Sequence, residues 1–344
     1  MKKLLNTLFV QSEDYYLSLE NNNILAYKGK ELVKRIPLIN LENIVYFGYK
    51  GASPALLGAC VKQKIGFTFL LPTGKFLARV NDLGEGNNVL LRKEQYRISD
   101  DEEKSLKIAS AMIVGKILNA RAVLMRGMRD HKLSLDTAMF KTHIDDLMDA
   151  AKSARKAETL NWLRGVEGNA AQSYFSLLDS LVLQDKKHFF FHSRNKRPSL
   201  DRVNALLSFG YTLLAHDCAS ALESVGLDSY VGFLHRDRPG RSSLALDLME
   251  ELRNPYVDRF VLMMINNRII TAKQFKTAEN GAVFLNDEGR LAFLSKWQEK
   301  KKDSITHPFL KEKISWGLIP YVQAMLLARY IRGDLDAYPP FFWR

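Results

Sequence analysis

The residues best suited to chemistry flank one short basic turn. Gly232-Phe233-Leu234-His235-Arg236-Asp237-Arg238-Pro239-Gly240-Arg241-Ser242-Ser243 runs directly into Leu244-Ala245-Leu246-Asp247-Leu248-Met249-Glu250-Glu251-Leu252-Arg253. Ser242 or Ser243 is placed to cap a helix on which Leu244, Leu248 and Leu252 form an apolar stripe. Asp247 and Glu250, three apart, share a neighbouring face. A neutral imidazole such as His235 beside two carboxylates can hold a divalent cation and leave positions open for phosphate oxygens. Arg236, Arg238 and Arg241 would draw a phosphate backbone toward it. The plainer alternative is a helix with two exposed acids and a hydrogen-bonded histidine.

A further acid, Glu167, stands between glycines in Gly165-Val166-Glu167-Gly168-Asn169-Ala170-Ala171. Such small neighbours permit close approach by another backbone or a substrate. The plainer alternative is an acid favoured at a helix N-terminus by the dipole. The stretch from Lys186 to Arg197 carries the cations Lys186, Lys187, Arg194, Lys196 and Arg197 around Phe189, Phe190 and Phe191. That interleaving suits phosphate contacts plus base or sugar packing; a surface loop anchored by its phenylalanines is the alternative. His188 and His192 would share a helix face, but an HExxH zinc site needs glutamate where Phe189 stands. Lys300-Lys301-Lys302 reads as the cationic end of a helix. There is no GxxxxGK[ST] phosphate loop and no GxSxG nucleophile elbow. Gly84-Glu85-Gly86 lacks a third glycine and a Rossmann unit, and reads as a turn.

Two kinds of element must position these residues. Up to about residue 85, short runs rich in β-branched, aromatic or leucine residues predict strands: 4–10, 15–19, 24–27, 32–37, 44–47, 66–71 and 76–80. Asn21-Asn22-Asn23, Lys28-Gly29-Lys30 and Pro72-Thr73-Gly74 supply turns, and Ser53-Pro54 starts a short helix. Beyond about residue 101, with Ser99, Asp100 and Asp101 as cap candidates, helical periodicity takes over. Ile108, Ala111, Gly115, Leu118, Ala122 and Met125 form one stripe; further helices are expected over 144–164, 170–183, 200–225, 243–253, 259–264, 287–298 and 320–332. The fold class is therefore α+β: a small N-terminal β-sandwich-like domain followed by a larger all-α domain. The aromatic ending Tyr338-Pro339-Pro340-Phe341-Phe342-Trp343-Arg344 must dock on its own domain or on a partner.

The 344 residues carry 50 Lys+Arg against 38 Asp+Glu, a net charge of +12, which makes nucleic acid a leading candidate partner. With 47% hydrophobic residues the chain is globular, not mostly disordered. Cys60 and Cys218 lie far apart and suit a reducing setting as small apolar residues. The N-terminal run, broken by Asn6 and Thr7, reads as a strand, not a signal peptide. No run of about 18 apolar residues predicts a membrane span, so a cytoplasmic protein with no membrane partner is expected.

Three ordered blocks carry a family resemblance. Glu167-Gly168-Asn169-Ala170-Ala171-Gln172-Ser173-Tyr174-Phe175, Asp201-Arg202-Val203-Asn204-Ala205-Leu206-Leu207-Ser208-Phe209-Gly210-Tyr211 and the 232–251 block resemble the CRISPR-associated integrase of the adaptation module, the Cas-one family. Ile36-Pro37-Leu38, Val45-Tyr46-Phe47-Gly48 and Gly66-Phe67-Thr68-Phe69-Leu70 are similar to its β half, so the resemblance spans essentially the whole chain. The aromatic ending resembles the type I-C branch. The resemblance implies residues 1–90 as a dimerisation domain and 91–344 as the catalytic, metal- and DNA-binding domain. It implies Mg²⁺ or Mn²⁺ on Glu167, His235 and Glu250, with Asp247 as a further catalytic acid. The third ligand is aspartate in many members, and glutamate here lengthens that arm by about 1.5 Å. Implied partners are double-stranded DNA (captured fragment and CRISPR repeat), a second copy of the chain, and a small ferredoxin-like CRISPR adaptation partner (Cas-two). The implied reaction is attack of a captured duplex's 3′-hydroxyl on a repeat phosphodiester, with hydrolytic nicking at the same site. It needs no ATP, consistent with the missing phosphate loop. A non-catalytic DNA-binding scaffold with a degenerate metal site, and a metal nuclease unrelated to integration, are the alternatives.

Overall fold

The computed structural model describes residues 6–10, 13–71, 76–80 and 89–343. The Pro72-Thr73-Gly74 turn, the Gly84-Glu85-Gly86 turn, Lys2, Lys3 and Arg344 lie outside the described residues. Contacts divide the chain into two units, the first taking the N-terminal strands with Asp287–Ser304 and Ser315–Leu318, the second the rest.

In chain order the first unit contains β1 (Asn6–Val10), β2 (Tyr15–Glu20), β3 (Asn23–Lys28), β4 (Glu31–Pro37), β5 (Leu41–Phe47), α1 (Pro54–Lys62), β6 (Gly66–Leu70) and β7 (Phe76–Val80). β2, β3 and β4 form an antiparallel meander. Its first turn needs two consecutive left-handed residues, and Asn21 (φ 47°) and Asn22 (φ 59°) supply them at low steric cost. The other sheet has the order β1-β5-β6-β7, in which β1/β5 and β5/β6 are parallel and β6/β7 antiparallel. The helix α1 crosses between β5 and β6; Ser53 Oγ caps it by accepting from Leu56 N at 3.2 Å, with Pro54 at the first position. Leu17 and Ile24 from the meander, Ile44, Tyr46 and Phe67 from the other sheet, and Leu56 and Cys60 from α1 make one core without solvent exposure. Each such large side chain stabilises the fold by roughly 1.5–3 kcal/mol. In the helix Asp287–Lys302, Lys300, Lys301 and Lys302 occupy the last turn, as the dipole favours.

The second unit is helical: α2 (Val89–Asp100), α3 (Glu102–Asp130), α4 (Thr137–Arg155), α5 (Leu160–Ser176), α6 (Arg202–Ser224), α7 (Ser243–Glu250), α8 (Arg259–Asn266) and a helix at Ile319–Ile331. Asp101, Asp136, Thr159 and Asp201 cap α3 to α6 through side-chain oxygens. The helices expected over 144–164 and 170–183 fall instead at Thr137–Arg155 and Leu160–Ser176. The chain leaves the helix after Arg155 and restarts under the Thr159 cap, so Glu167 lies mid-helix and not at an N-terminus. The helix α3 is buried over more than one stripe: Ile108, Met112, Ile113, Ile117, Ala120 and Leu124 are inside, whereas Met125 is exposed. It is long and apolar enough to cross a membrane, but 67% of its most apolar window is buried within the protein, as in a core helix.

The aromatic ending docks on its own helical unit. Asn119 of α3 donates to Phe341 O at 2.7 Å and accepts from Trp343 N at 2.7 Å. Glu251 accepts from Tyr338 OH at 2.6 Å, Gln323 Nε2 at 2.7 Å and Phe341 N at 2.9 Å. Arg126 and Arg259 lie over the Trp343 ring, at 5.5 and 4.0 Å. Gly115 makes the fit possible, since a Cβ there would press on Glu251 and Pro340 at 3.1 Å.

Burial pushes the Glu251 carboxyl up to about 7, against the lowering pull of Tyr338, Gln323 and Phe341 N–H. An acid whose folded pKa is raised stabilises most below its unfolded value near 4.5 and loses that contribution as pH climbs through 7. On the order of 3 kcal/mol should therefore be lost across that window. Denaturant unfolding at pH 5 and pH 8 should show this slope in the wild type, and Glu251→Gln should lack it; equal slopes in both proteins would refute the assignment.

Candidate active site

Three segments of the helical unit meet: the middle of α3, the third turn of α5, and the 232–253 stretch. Ser99 Oγ donates to Gly232 O at 2.9 Å, and Gln95 Nε2 donates to Asp228 O and Val231 O at 2.8 and 2.9 Å, tying the approach to His235 onto α2. From α5, Arg164 donates to Leu234 O through Nε and Nη2, at 3.2 and 2.6 Å. Gly232 is required here, because a Cβ would stand 2.9 Å from Asp247 Oδ2.

Asp247 organises this loop. Its Oδ2 accepts from Phe233 N at 2.6 Å and Leu234 N at 2.9 Å. Its Oδ1 accepts from His235 N at 3.0 Å and faces His235 Nδ1 at 2.5 Å. A carboxylate in that position fixes the proton on Nδ1 and leaves the Nε2 lone pair for a ligand. Asp247 has no solvent exposure, and both its oxygens are engaged, so it is a positioning residue behind the imidazole and not a second acid beside it.

Glu250, one turn on, faces elsewhere. Arg253 Nη1 meets its Oε1 at 2.8 Å, and Lys116 Nζ lies 2.6 Å from its Oε2. Lys116 also pairs with Glu167 Oε1, so one ammonium bridges carboxylates from two different elements. Burial pushes the Glu250 carboxyl up, but Arg253, Lys116 and His235 outweigh it and hold the acid well below the usual carboxylate range. Arg253 opens a wider π turn, Arg253–Asp258, and packs over the Tyr211 ring at 4.2 Å. Turns of this kind re-aim side chains at functional sites. Tyr211 OH donates to buried Asp258, which also accepts from Asn254 Nδ2 at 2.9 Å.

With Asp247 and Glu250 both buried, the alternative of two exposed acids does not hold. The residues fit a divalent cation: a bridging cation already sits between Glu167 and Glu250, and buried Glu250 Oε2 meets it without an aligned hydrogen bond. Among the described residues no three His, Cys, Asp or Glu side chains already converge at metal-ligand spacing; the Lys116 ammonium stands between Glu167 and Glu250. A cavity of about 550 Å³ opens beside it, walled by Lys116, Glu167, Ala170, Ala171, Lys196 and Arg253. The small residues after Glu167 thus leave room at the site.

The cationic stretch 186–197 divides. Lys187, Lys196 and Arg197 are exposed, and Lys186 pairs with Asp179 at 2.7 Å. Arg194 is an internal brace rather than a surface cation: it donates to Asn204 Oδ1 at 2.6 Å and Ser208 Oγ at 3.0 Å, and lies over Tyr211. Phe189 and Phe191 belong to the core, which removes them from base packing; Phe190 is exposed. Arg236 and Arg238 are exposed on the loop after His235, and Arg241 is half-buried. Lys116 is the residue that spacing did not single out. Its signal is a lone cation within the apolar run 111–118, a position where an unpaired charge is costly.

The family model described as "CRISPR associated protein Cas1" matches residues 8–299. CRISPR-associated endonuclease Cas1 2 of Rhodospirillum rubrum is 49% identical over 348 residues, and CRISPR-associated endonuclease Cas1 1 of Chlorobaculum tepidum 46% over 344 residues; each comparison covers 100% of both chains. Among solved structures, a CAS1 protein from Thermotoga maritima superposes with a TM-score of 0.83 at 25% identity, over 97% of this chain and 99% of that one.

Proposed function

The chain belongs to the CRISPR-associated Cas1 family, and we propose that it is a divalent-metal-dependent DNA integrase and endonuclease that joins the 3′-hydroxyl ends of short duplex DNA to a CRISPR array. One observation carries the reading: Glu167 and Glu250, from separate elements, converge on one cation beside a histidine whose Nδ1 is committed to Asp247. Glu167, His235 and Glu250 would hold Mg²⁺ or Mn²⁺. When bound, the ion supplies Lewis-acid polarisation of a phosphate and eases deprotonation of the attacking hydroxyl.

The chemistry exchanges one phosphodiester for another. The incoming 3′-oxygen forms a bond to phosphorus and loses its proton, while the bond to the old 3′-oxygen breaks and that oxygen gains one. With water as nucleophile the same geometry gives a nick. Nothing in this exchange consumes ATP. Arg253 keeps Glu250 ionised, and Asp247 keeps His235 in one tautomer and orientation. Arg236, Arg238, Lys187, Lys196 and Arg197, all exposed, favour the approach of phosphate without reading bases. The further partners we propose are a second copy of the chain through residues 1–90, and a Cas2-type ferredoxin-like protein. The ending from Tyr338 supports placement in the type I-C branch.

A supercoiled plasmid bearing a CRISPR repeat, incubated with a short duplex and Mn²⁺, tests this. Covalent joining of duplex to plasmid is expected. Nicks alone would identify a nuclease without integration, and binding alone a scaffold.

A further inference from the structure

Lys116 is the feature of the site that the proposed reaction leaves without a role. Its side chain is only 11% exposed and springs from the middle of the core helix α3. Its ammonium touches Glu167 and lies 2.6 Å from Glu250 Oε2, the two carboxylates assigned above to a divalent ion. With Arg253 on Glu250 as well, the two acids are each already matched by a cation before any metal arrives. A divalent ion entering beside an undisplaced ammonium would meet strong like-charge repulsion at short range in a poorly solvated site.

We propose that Lys116 is a resident counter-cation which a divalent metal ion must displace from Glu167 and Glu250, so that a lysine outside the ligand set sets the metal affinity. The inference rests on the metal-centre reading above. The ammonium has somewhere to go: Lys116 also walls the cavity of about 550 Å³, and its four-carbon stem lets the head group swing toward the open space. There it would face an incoming phosphate rather than the carboxylates. Before the ion arrives, the bridge keeps Glu167 and Glu250 together and pairs Glu167, while Arg253 also pairs Glu250.

The test is Mn²⁺ binding to the full-length protein, read by electron paramagnetic resonance of the free ion at fixed pH and salt. Lys116→Met should bind roughly tenfold to a hundredfold more tightly than the wild type, by removal of the competing charge. Lys116→Arg, which keeps the charge, should bind no more tightly than the wild type. Adding Glu250→Gln to Lys116→Met should abolish the gain. Thermal unfolding supplies a second readout: Mn²⁺ should raise the Tm of Lys116→Met more than that of the wild type. If Lys116→Met does not fold, Lys116→Gln carries the same expectations. Wild-type binding that depends on Glu250, with Lys116→Met equal or weaker, would overturn this inference and leave the metal centre standing. No Glu250-dependent Mn²⁺ binding in any variant would overturn the metal centre, and this inference with it.

Discussion

Alanine at Glu167 or at His235 should abolish Mn²⁺-dependent strand transfer, by about 10²–10⁴-fold, while affinity for duplex DNA stays within about threefold of the wild type. The magnitude follows from losing several kcal/mol of transition-state charge stabilisation, at about 1.4 kcal/mol for each tenfold in rate. Neither change should unfold the protein. Without Glu167, Lys116 still pairs with Glu250. Without the imidazole, Asp247 still accepts from the backbone N–H groups of Phe233, Leu234 and the residue at 235. DNA affinity should survive because the exposed cations on 187, 196, 197, 236 and 238 are untouched. Joining rates and filter-binding affinities on the same preparations check both halves. Full activity in either variant would sink the ligand assignment.

The second large effect is expected from Asp247→Asn, which preserves size and changes only hydrogen-bonding logic. The carboxylate accepts from four groups: three backbone N–H and His235 Nδ1. An asparagine that keeps its oxygen on Phe233 and Leu234 N–H must present its NH₂ to His235 Nδ1 and also to the His235 backbone N–H, which loses its acceptor. The imidazole then turns Nδ1 into the acceptor and carries its proton on Nε2, the nitrogen needed as a ligand. The opposite amide orientation aims an NH₂ at two backbone N–H groups, at a cost of about 1–3 kcal/mol in stability. Strand transfer should therefore fall about 10–100-fold, the usual penalty for losing a residue that orients a metal-binding histidine. Rates measured with Mn²⁺ separate the two orientations, since only the first moves the imidazole proton, while a denaturant titration reads the backbone N–H groups left without an acceptor in either. A wild-type rate together with wild-type stability would contradict the role given to Asp247.

Much of this arrangement was legible from residue types. Short runs rich in β-branched, aromatic or leucine residues, with turns such as Asn21-Asn22-Asn23, marked the strands, because strand preference and left-handed turns depend on local sequence. The Ser53-Pro54 start of α1 was equally local. Periodicity misplaced the buried stripe of α3 because the helix is covered on more than one side, so its apolar residues fit more than one stripe. The parallel pairings β1/β5 and β5/β6 join strands distant in sequence, and no local signal encodes them. At the site, residue type selected Glu167, His235, Asp247 and Glu250, but their division of labour depended on orientation. Asp247 turns to the loop backbone and Glu250 to Lys116 and Arg253, although they are three residues apart on one short helix. Arg194 looked like a phosphate contact because charge runs carry no information about burial; its partners Asn204 and Ser208 lie on the following helix. No local pattern marks Lys116, because its partners lie far along the chain, at 167 and 250.

The central claim is that a free 3′-oxygen is the nucleophile at the Glu167–His235–Glu250 site. It is tested most directly with one labelled short duplex prepared in two forms, ending in a 3′-hydroxyl or in a 3′-dideoxy nucleotide, and offered with a repeat-bearing plasmid and Mn²⁺. Wild-type protein should join the hydroxyl-ended duplex to the plasmid, leave the dideoxy-ended one unjoined, and still nick the plasmid in its presence. Equal joining of both duplexes, or joining of the hydroxyl-ended duplex by Glu167→Ala at the wild-type rate, would contradict the account.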